Sequence, residues 1–115
     1  MIRVNENDPD LEYAGIDAGG GNMYNYKGEP FTGAIVDLYP NGDLRGLAEF
    51  RNGYTDGMQA DYYANGQVKE QYYTKYNRMY DSYKFWAESG KLLIHVEHDK
   101  NGEVISRFID KEKSI

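Results

Sequence analysis

The chain of 115 residues contains no cysteine. Disulfides and thiolate-ligated metal sites are thereby excluded, and a reducing compartment is compatible though not required. Proline is scarce, with three residues, and nowhere does a 3.6-residue apolar period run long enough for an amphipathic helix. Long apolar runs are missing as well. No stretch approaches membrane-spanning length, and Met1-Ile-Arg-Val-Asn-Glu-Asn-Asp8 has no apolar core of a leader, so the chain as given reads as cytoplasmic. Positive charge is in deficit, with 13 Lys and Arg against 19 Asp and Glu and a net charge of −6. Residues 1–37 hold seven of the acids (Glu6, Asp8, Asp10, Glu12, Asp17, Glu29 and Asp37) and two bases (Arg3 and Lys27). Nucleic acid and anionic membrane are therefore not expected as partners, whereas a basic protein is. Solubility alone is the competing reason for an acidic surface.

What the chain does have is aromatic rings, glycines and a repeat. Twelve tyrosines against four phenylalanines point to half-buried sheet faces, and 13 glycines to many tight turns. Gly33-Ala-Ile-Val-Asp-Leu-Tyr-Pro-Asn-Gly42 aligns without gaps on Gly57-Met-Gln-Ala-Asp-Tyr-Tyr-Ala-Asn-Gly66, and again on Asp81-Ser-Tyr-Lys-Phe-Trp-Ala-Glu-Ser-Gly90. The closing glycines fall at positions 42, 66 and 90, a constant period of 24 that marks a repeat architecture. Each copy reads as strand, tight turn, strand, looser turn. The fold class is accordingly all-β: an antiparallel meander of β-hairpin repeats of period 24 in an elongated or rolled sheet.

Along the chain, residues 1–23 read as an acidic N-terminal arm with little structure beyond a short strand at Leu11-Glu-Tyr13. Gly19-Gly20-Gly21 is a flexible loop, because a phosphate-cradling loop needs a Lys-Ser/Thr and a following helix. Residues 24–110 form one repeat domain, and 111–115 a tail. Turns are expected at Asn41-Gly42, Asn65-Gly66, Ser89-Gly90 and Asn101-Gly102, the last closing a shorter hairpin that acts as a cap. Asn52 to Gly57 and Tyr76 to Asp81 are looser loops. Strict alternation puts Leu44, Gly46, Ala48 and Phe50 on one face. The equivalent positions in the second and third copies, together with Phe108, make Leu44, Val68, Leu92, Ile94, Val96 and Phe108 the expected core. Leu92, Ile94 and Val96 should be the best buried of these.

Tyr26-Lys-Gly-Glu-Pro-Phe-Thr-Gly33, Tyr39-Pro-Asn-Gly42, Phe50-Arg-Asn-Gly53, Asp56-Gly57, Tyr63-Ala-Asn-Gly66 and Gln67-Val-Lys-Glu70 carry a family resemblance. Over about residues 24–104 the chain resembles variant MORN-repeat proteins, and more narrowly the YwqK family of antitoxins and related bacterial immunity proteins. That resemblance implies a hairpin-repeat sheet used for protein binding, with no catalytic residue to carry over. The chain departs from the pattern at Ile35 and Gln59, where the family has an aromatic that only Tyr83 keeps. It also departs at Asp81, which replaces the opening glycine, and at Ser89, which replaces the turn asparagine.

No constellation in the sequence supplies evident catalytic or metal chemistry. His95 and Glu97 point to one face of a strand and His98 to the other, so the three cannot chelate together without a bulge. Asp8, Asp10 and Glu12 lack the glycine and closing glutamate of a calcium loop. Glu70, on the face assigned to Val68, is expected to pair with Arg45 or Lys91, or to be exposed. No cofactor is implied. Adjacent tyrosines face opposite ways, so both faces of the central sheet carry rings. One set is core, and the other either binds a protein or only pairs across strands. The expected function is a non-catalytic immunity protein or antitoxin that occludes a cognate toxin with a basic surface. Its contacts would come from Asp8, Asp10, Glu12, Asp17, Asp37, Asp61, Tyr63, Tyr73, Tyr76, Tyr80 and Trp86. The alternative is a structural or membrane-associated MORN-repeat scaffold, whose basic face this chain lacks.

Overall fold

The computed structural model describes residues 1–17 and 21–110. Four hairpin loops of one geometry set its plan. At 39–43, 63–67, 87–91 and 99–103 the N–H groups of Gly42, Gly66, Gly90 and Gly102 donate to the carbonyls of Tyr39, Tyr63, Ala87 and Asp99 at 2.8–3.0 Å. Each of these glycines has φ between 84° and 94°, a left-handed conformation that residues with a Cβ take only under strain. The side-chain carbonyls of Asn41 and Asn65 accept the N–H groups of Asp43 and Gln67 at 2.9 Å, which explains the Asn-Gly pairs. All four turns lie where the sequence places them, three by the period and the fourth by Asn101-Gly102.

The opposite ends are tighter than the sequence implied. Asn52-Gly53 and Tyr76-Asn77 are two-residue turns with positive φ at both positions (51° and 90°; 50° and 64°), which match the twist of the flanking strands. The expected loops at 52–57 and 76–81 are therefore two residues long, and the remainder of each belongs to a strand. Gly57 (φ 112°) and Asp81 (φ 60°), one period apart, sit at bulges inside those strands.

Eleven strands result: β1 (Arg3–Asn5), β2 (Leu11–Ile16), β3 (Asn22–Tyr26), β4 (Glu29–Pro30), β5 (Gly33–Leu38), β6 (Leu44–Arg51), β7 (Tyr54–Tyr62), β8 (Val68–Lys75), β9 (Arg78–Trp86), β10 (Leu92–His98) and β11 (Val104–Ile109). No helix occurs among the described residues, so none is long and apolar enough to cross a membrane. From β5 to β11 each strand pairs antiparallel with the next, the meander the repeat required, and the sheet stays open. The N-terminal segment is not a loose arm. Strand β1 adds in parallel to the outer edge of β5, with Val4 opposite Ile35. The hairpin β2–β3 leads through β4 onto one face, and Met23 pairs with Tyr54 of β7. Gly19, Gly20 and the tail 111–115 lie outside the described residues.

The core sits at the opposite end of the meander from the one expected. Val4, Phe31 and Phe50 form one cluster, with Leu11, Tyr24, Tyr26, Ile35 and Ala48 packed around it. Ala34, Val36 and Leu47 form a second across the sheet, with Leu44 and Met58. Leu44, Val68, Leu92, Ile94 and Val96 are only half-buried, and Phe108 is 47% exposed. Two physical reasons account for the difference. The N-terminal strands cover one face of β5 to β7 and reach β8 only at its turn end, where Thr74 is buried. A register shift also follows each three-residue turn, so that Leu38 faces Leu44 while Asp37 faces Gly46, and Tyr62 faces Val68 while Asp61 faces Glu70. The extra residue reverses the alternation. Leu44, Val68 and Leu92 therefore lie on the face of Leu47, while Ile94 and Val96 lie on the face of Ala48.

Candidate functional site

The face of Ala48 carries a row of acids set by strand register. Asp37 lies opposite Gly46, Gly46 opposite Asp61, and Asp61 opposite Glu70, on strands β5, β6, β7 and β8. The period puts Asp37 and Asp61 in equivalent places. Gly46 makes room between them, since a Cβ there would stand 3.0 Å from Asp61 Oδ1. Glu6 completes the group, because its N–H donates to the Val36 carbonyl at 2.9 Å directly after β1. Between the N-terminal hairpin and the sheet Glu6, Asp37 and Asp61 border a groove of about 510 Å³, with Glu70 next to Asp61 beyond its lining. Tyr24, Phe50, Gln59, Tyr72 and Thr74 line the rest of it.

The electrostatics are asymmetric. Arg45 donates from Nε and Nη2 to the two oxygens of Asp37 at 2.6 and 2.9 Å. This pairing holds the Asp37 carboxyl below the usual carboxylate range. Partial burial, and next the contact with Asp37, push Glu6 the other way. The Asp61 side chain keeps an exposed edge, yet burial first and the Glu70 carboxylate second raise its pKa, with Lys69 partly opposing. Tyr83 donates its hydroxyl to Glu70. Burial and that bond push the Tyr83 phenol far up, and burial also raises Tyr72. Arg45 thus answers Asp37 and Glu6, and Lys69 answers Asp61. Both bases also lie over tyrosine rings, Arg45 over Tyr39 at 5.6 Å and Lys69 over Tyr63 at 5.7 Å. The arrangement suits a basic group framed by rings.

The expected contact residues do not form one patch. Asp37 and Asp61 lie in the groove. Tyr73 and Tyr80 pair on the opposite face, their ring centroids 6.3 Å apart and their planes tilted by 57°, and Trp86 lies on that face too, opposite Leu92. Tyr76 is at the tip of the β8–β9 turn, edge-on to Tyr54 at 6.2 Å. Tyr63 is engaged within the sheet. Its hydroxyl donates to the Trp86 carbonyl at 2.7 Å, as Tyr39, one period earlier, donates to the Tyr62 carbonyl at 2.7 Å. Asp17 is likewise engaged. It accepts from Gly21 N–H at 2.9 Å and from Asn77 Nδ2 at 3.0 Å, while Asn77 Oδ1 accepts from Thr55 N–H at 2.7 Å. That chain of bonds fastens the N-terminal hairpin to the sheet. Asp8 accepts from Asp10 N–H at 2.8 Å, and only Asp10 and Glu12 of the acidic segment's candidates are wholly at the surface.

The expected contact set left out Glu6 and Tyr72, and Glu70 was expected to pair with Arg45 or Lys91 or to be exposed. Glu70 takes the Tyr83 hydroxyl, and the bulge after Val68 puts it on the opposite face from Val68. The repeat held a signal for the groove, because Asp37 and Asp61 are equivalent positions on strands that share a neighbour. His95 Nε2 pairs with Glu97 Oε1, and His98 Nδ1 meets the Asp81 carbonyl at 3.1 Å. Comparison with family models, with curated proteins and with solved structures finds no match to this chain.

Proposed function

We propose that the chain is a non-catalytic binding module that neutralises a cognate toxin by stoichiometric occlusion, and that its acidic groove receives a basic element of that protein. The observation that carries this reading is the row Asp37, Asp61 and Glu70, joined by Glu6, on a face floored by Tyr72 and Tyr83. Carboxylates held in a partly desolvated groove attract lysine or arginine more strongly than the same groups spread over open surface. The acids Asp10 and Glu12 add steering from outside the groove. Neighbouring rings supply contact area at little cost in side-chain entropy.

The test is to co-express the chain with the toxic domain from its own locus, score growth, and then measure binding of the purified pair. Asp61→Asn with Glu70→Gln should weaken binding at least tenfold and flatten its dependence on salt. Replacing Asp10 and Glu12 by Asn and Gln should slow association more than it speeds dissociation. Tyr80→Ala and Trp86→Ala report on the other face. Full toxicity in the presence of soluble, folded chain removes the reading.

A further inference from the structure

The two ends of the meander are finished differently. At one end the edge of β5 is closed by β1, a strand of three residues. At the other, β11 is, among the described residues, an open edge of six residues, Val-Ile-Ser-Arg-Phe-Ile, with no proline and one charge. Every residue of it is exposed, Ile105 at 66%, Phe108 at 47% and Ile109 at 58%. A long, apolar, unblocked edge is what monomeric sheet proteins avoid, usually with charge, proline or very short strands.

We infer that β11 pairs antiparallel with β11 of a second copy of this chain, continuing the sheet across a twofold axis. The register follows from the backbone. Asp110 N–H donates inward to the Leu93 carbonyl at 2.7 Å. By alternation the backbone groups of Arg107 and Ile109 point outward and are the ones a new strand can bond. A twofold axis perpendicular to the sheet keeps faces matched, so residues of equal parity meet. Placing the axis at Phe108 lets Arg107 and Ile109 exchange bonds with Ile109 and Arg107 of the second copy. It brings the two Phe108 rings together at the closer, non-hydrogen-bonded pair and keeps the two Arg107 charges apart. Centring on Arg107 instead would set like charges face to face. The self-complementary spacing of one charge and two apolar residues favours a second copy over an unrelated strand. An edge pair of this length buries less than about 1,000 Å², so the dimer exchanges with monomer at micromolar concentration. The inference does not depend on the toxin-binding reading.

The experiment is sedimentation velocity on the chain alone from about 1 to about 500 µM, a range that spans weak association. Mass should rise from monomer towards dimer, with slowed amide exchange at Arg107 and Ile109 in the concentrated sample. Ile109→Lys sets a charge against Arg107 of the second copy and should raise the dissociation constant at least tenfold. Ile109→Glu should lower it or leave it unchanged, and Arg107→Glu combined with Ile109→Lys should restore pairing. Because β11 is fully exposed, these variants should keep the parent circular dichroism spectrum. Monomer at every concentration overturns the inference, as does equal weakening by Ile109→Lys and Ile109→Glu. Pairing of β11 with a different protein by a chain that stays monomeric alone overturns it too.

Discussion

Phe31→Ala and Phe108→Ala form the sharpest test of where this sheet is held together. Phe31 is 2% exposed and lies between Tyr26 and Phe50, with ring centroids at 5.8 and 6.0 Å. Its carbonyl accepts Gly53 N–H at 2.8 Å and its N–H donates to the Tyr24 carbonyl at 3.1 Å, so the surroundings are pinned and cannot collapse into a void. Truncating a ring in such a place costs about 3–5 kcal/mol, transfer and cavity together. Phe108 leaves 47% of its surface in water. Its truncation should cost about 1 kcal/mol or less. With a urea slope of about 1.5–2 kcal/mol per molar, Phe31→Ala should lower the midpoint by about 2–3 M and Phe108→Ala by under about 0.7 M. The assay is urea unfolding followed by tyrosine fluorescence, at low protein concentration so that edge pairing does not contribute. Equal shifts, or a reversed order, would refute the placement of the core under the N-terminal strands.

Two further outcomes follow from the repeat and from the buried phenols. Asp81 occupies the bulge that Gly57 fills one period earlier, at φ 60°. Asp81→Gly should therefore raise stability in the same urea assay, by up to about 1 kcal/mol after the entropy of the added glycine is set against the relieved strain. A loss of stability there would mean that the Asp81 side chain contributes more than its backbone costs. The raised pKa values of Tyr72 and Tyr83 favour the neutral phenol in the fold, so their contribution is intact below about pH 10 and is lost as pH rises beyond it. In a phenolate titration these two should ionise together with loss of near-ultraviolet circular dichroism. Glu70→Gln should bring Tyr83 down.

The legible part of this fold was its period, and the illegible part was its parity. A gap-free repeat of period 24 with glycine closing each turn places hairpins at 41, 65 and 89, and Asn101-Gly102 marks the shorter last one, because left-handed turn positions leave a local mark on sequence. Which face a side chain takes depends on counting by twos, and one extra residue after each turn spoils the count. Leu44, Val68 and Leu92 changed faces for that reason. The signal was available in principle, since a three-residue turn closed by glycine brings an irregularity with it. The parallel pairing of β1 with β5 had no such signal. Val4 meets Ile35 through backbone bonds that carry no side-chain pattern and that join distant parts of the chain, and an acidic, glycine-bearing segment read as unstructured. The groove was half legible: Asp37 and Asp61 follow from the repeat, whereas Glu6 enters only through β1.

Coverage is the physical link between this fold and its exposed chemistry. Neighbouring strands lie about 4.8 Å apart, so the N-terminal hairpin, about 10 Å wide, spans roughly three strands. It lies over the Ala48 face of β5 to β7, where Phe31, Phe50 and Gln59 are buried. The N-terminal segment also reaches the turn end of β8, where Thr74 is buried and Asn77 donates to Asp17, and beyond it Tyr73, Tyr80, Trp86, Leu92 and Ile94 remain half-buried. Cross-strand ring pairs such as Tyr72–Tyr83 and Tyr73–Tyr80 then carry the stability that a second layer would otherwise supply. Sequence-local hairpins let that half form without a lid, at the cost of leaving its rings and its last edge to water. The acids sit where lid meets open sheet, so a partner entering the groove also meets uncovered rings. A second copy at β11 would meet the far edge, four strands beyond β7, and leave the groove free. Binding at the two places should therefore be independent, and if the proposed toxin occupies the groove, it should bind Ile109→Lys and the parent chain with equal affinity.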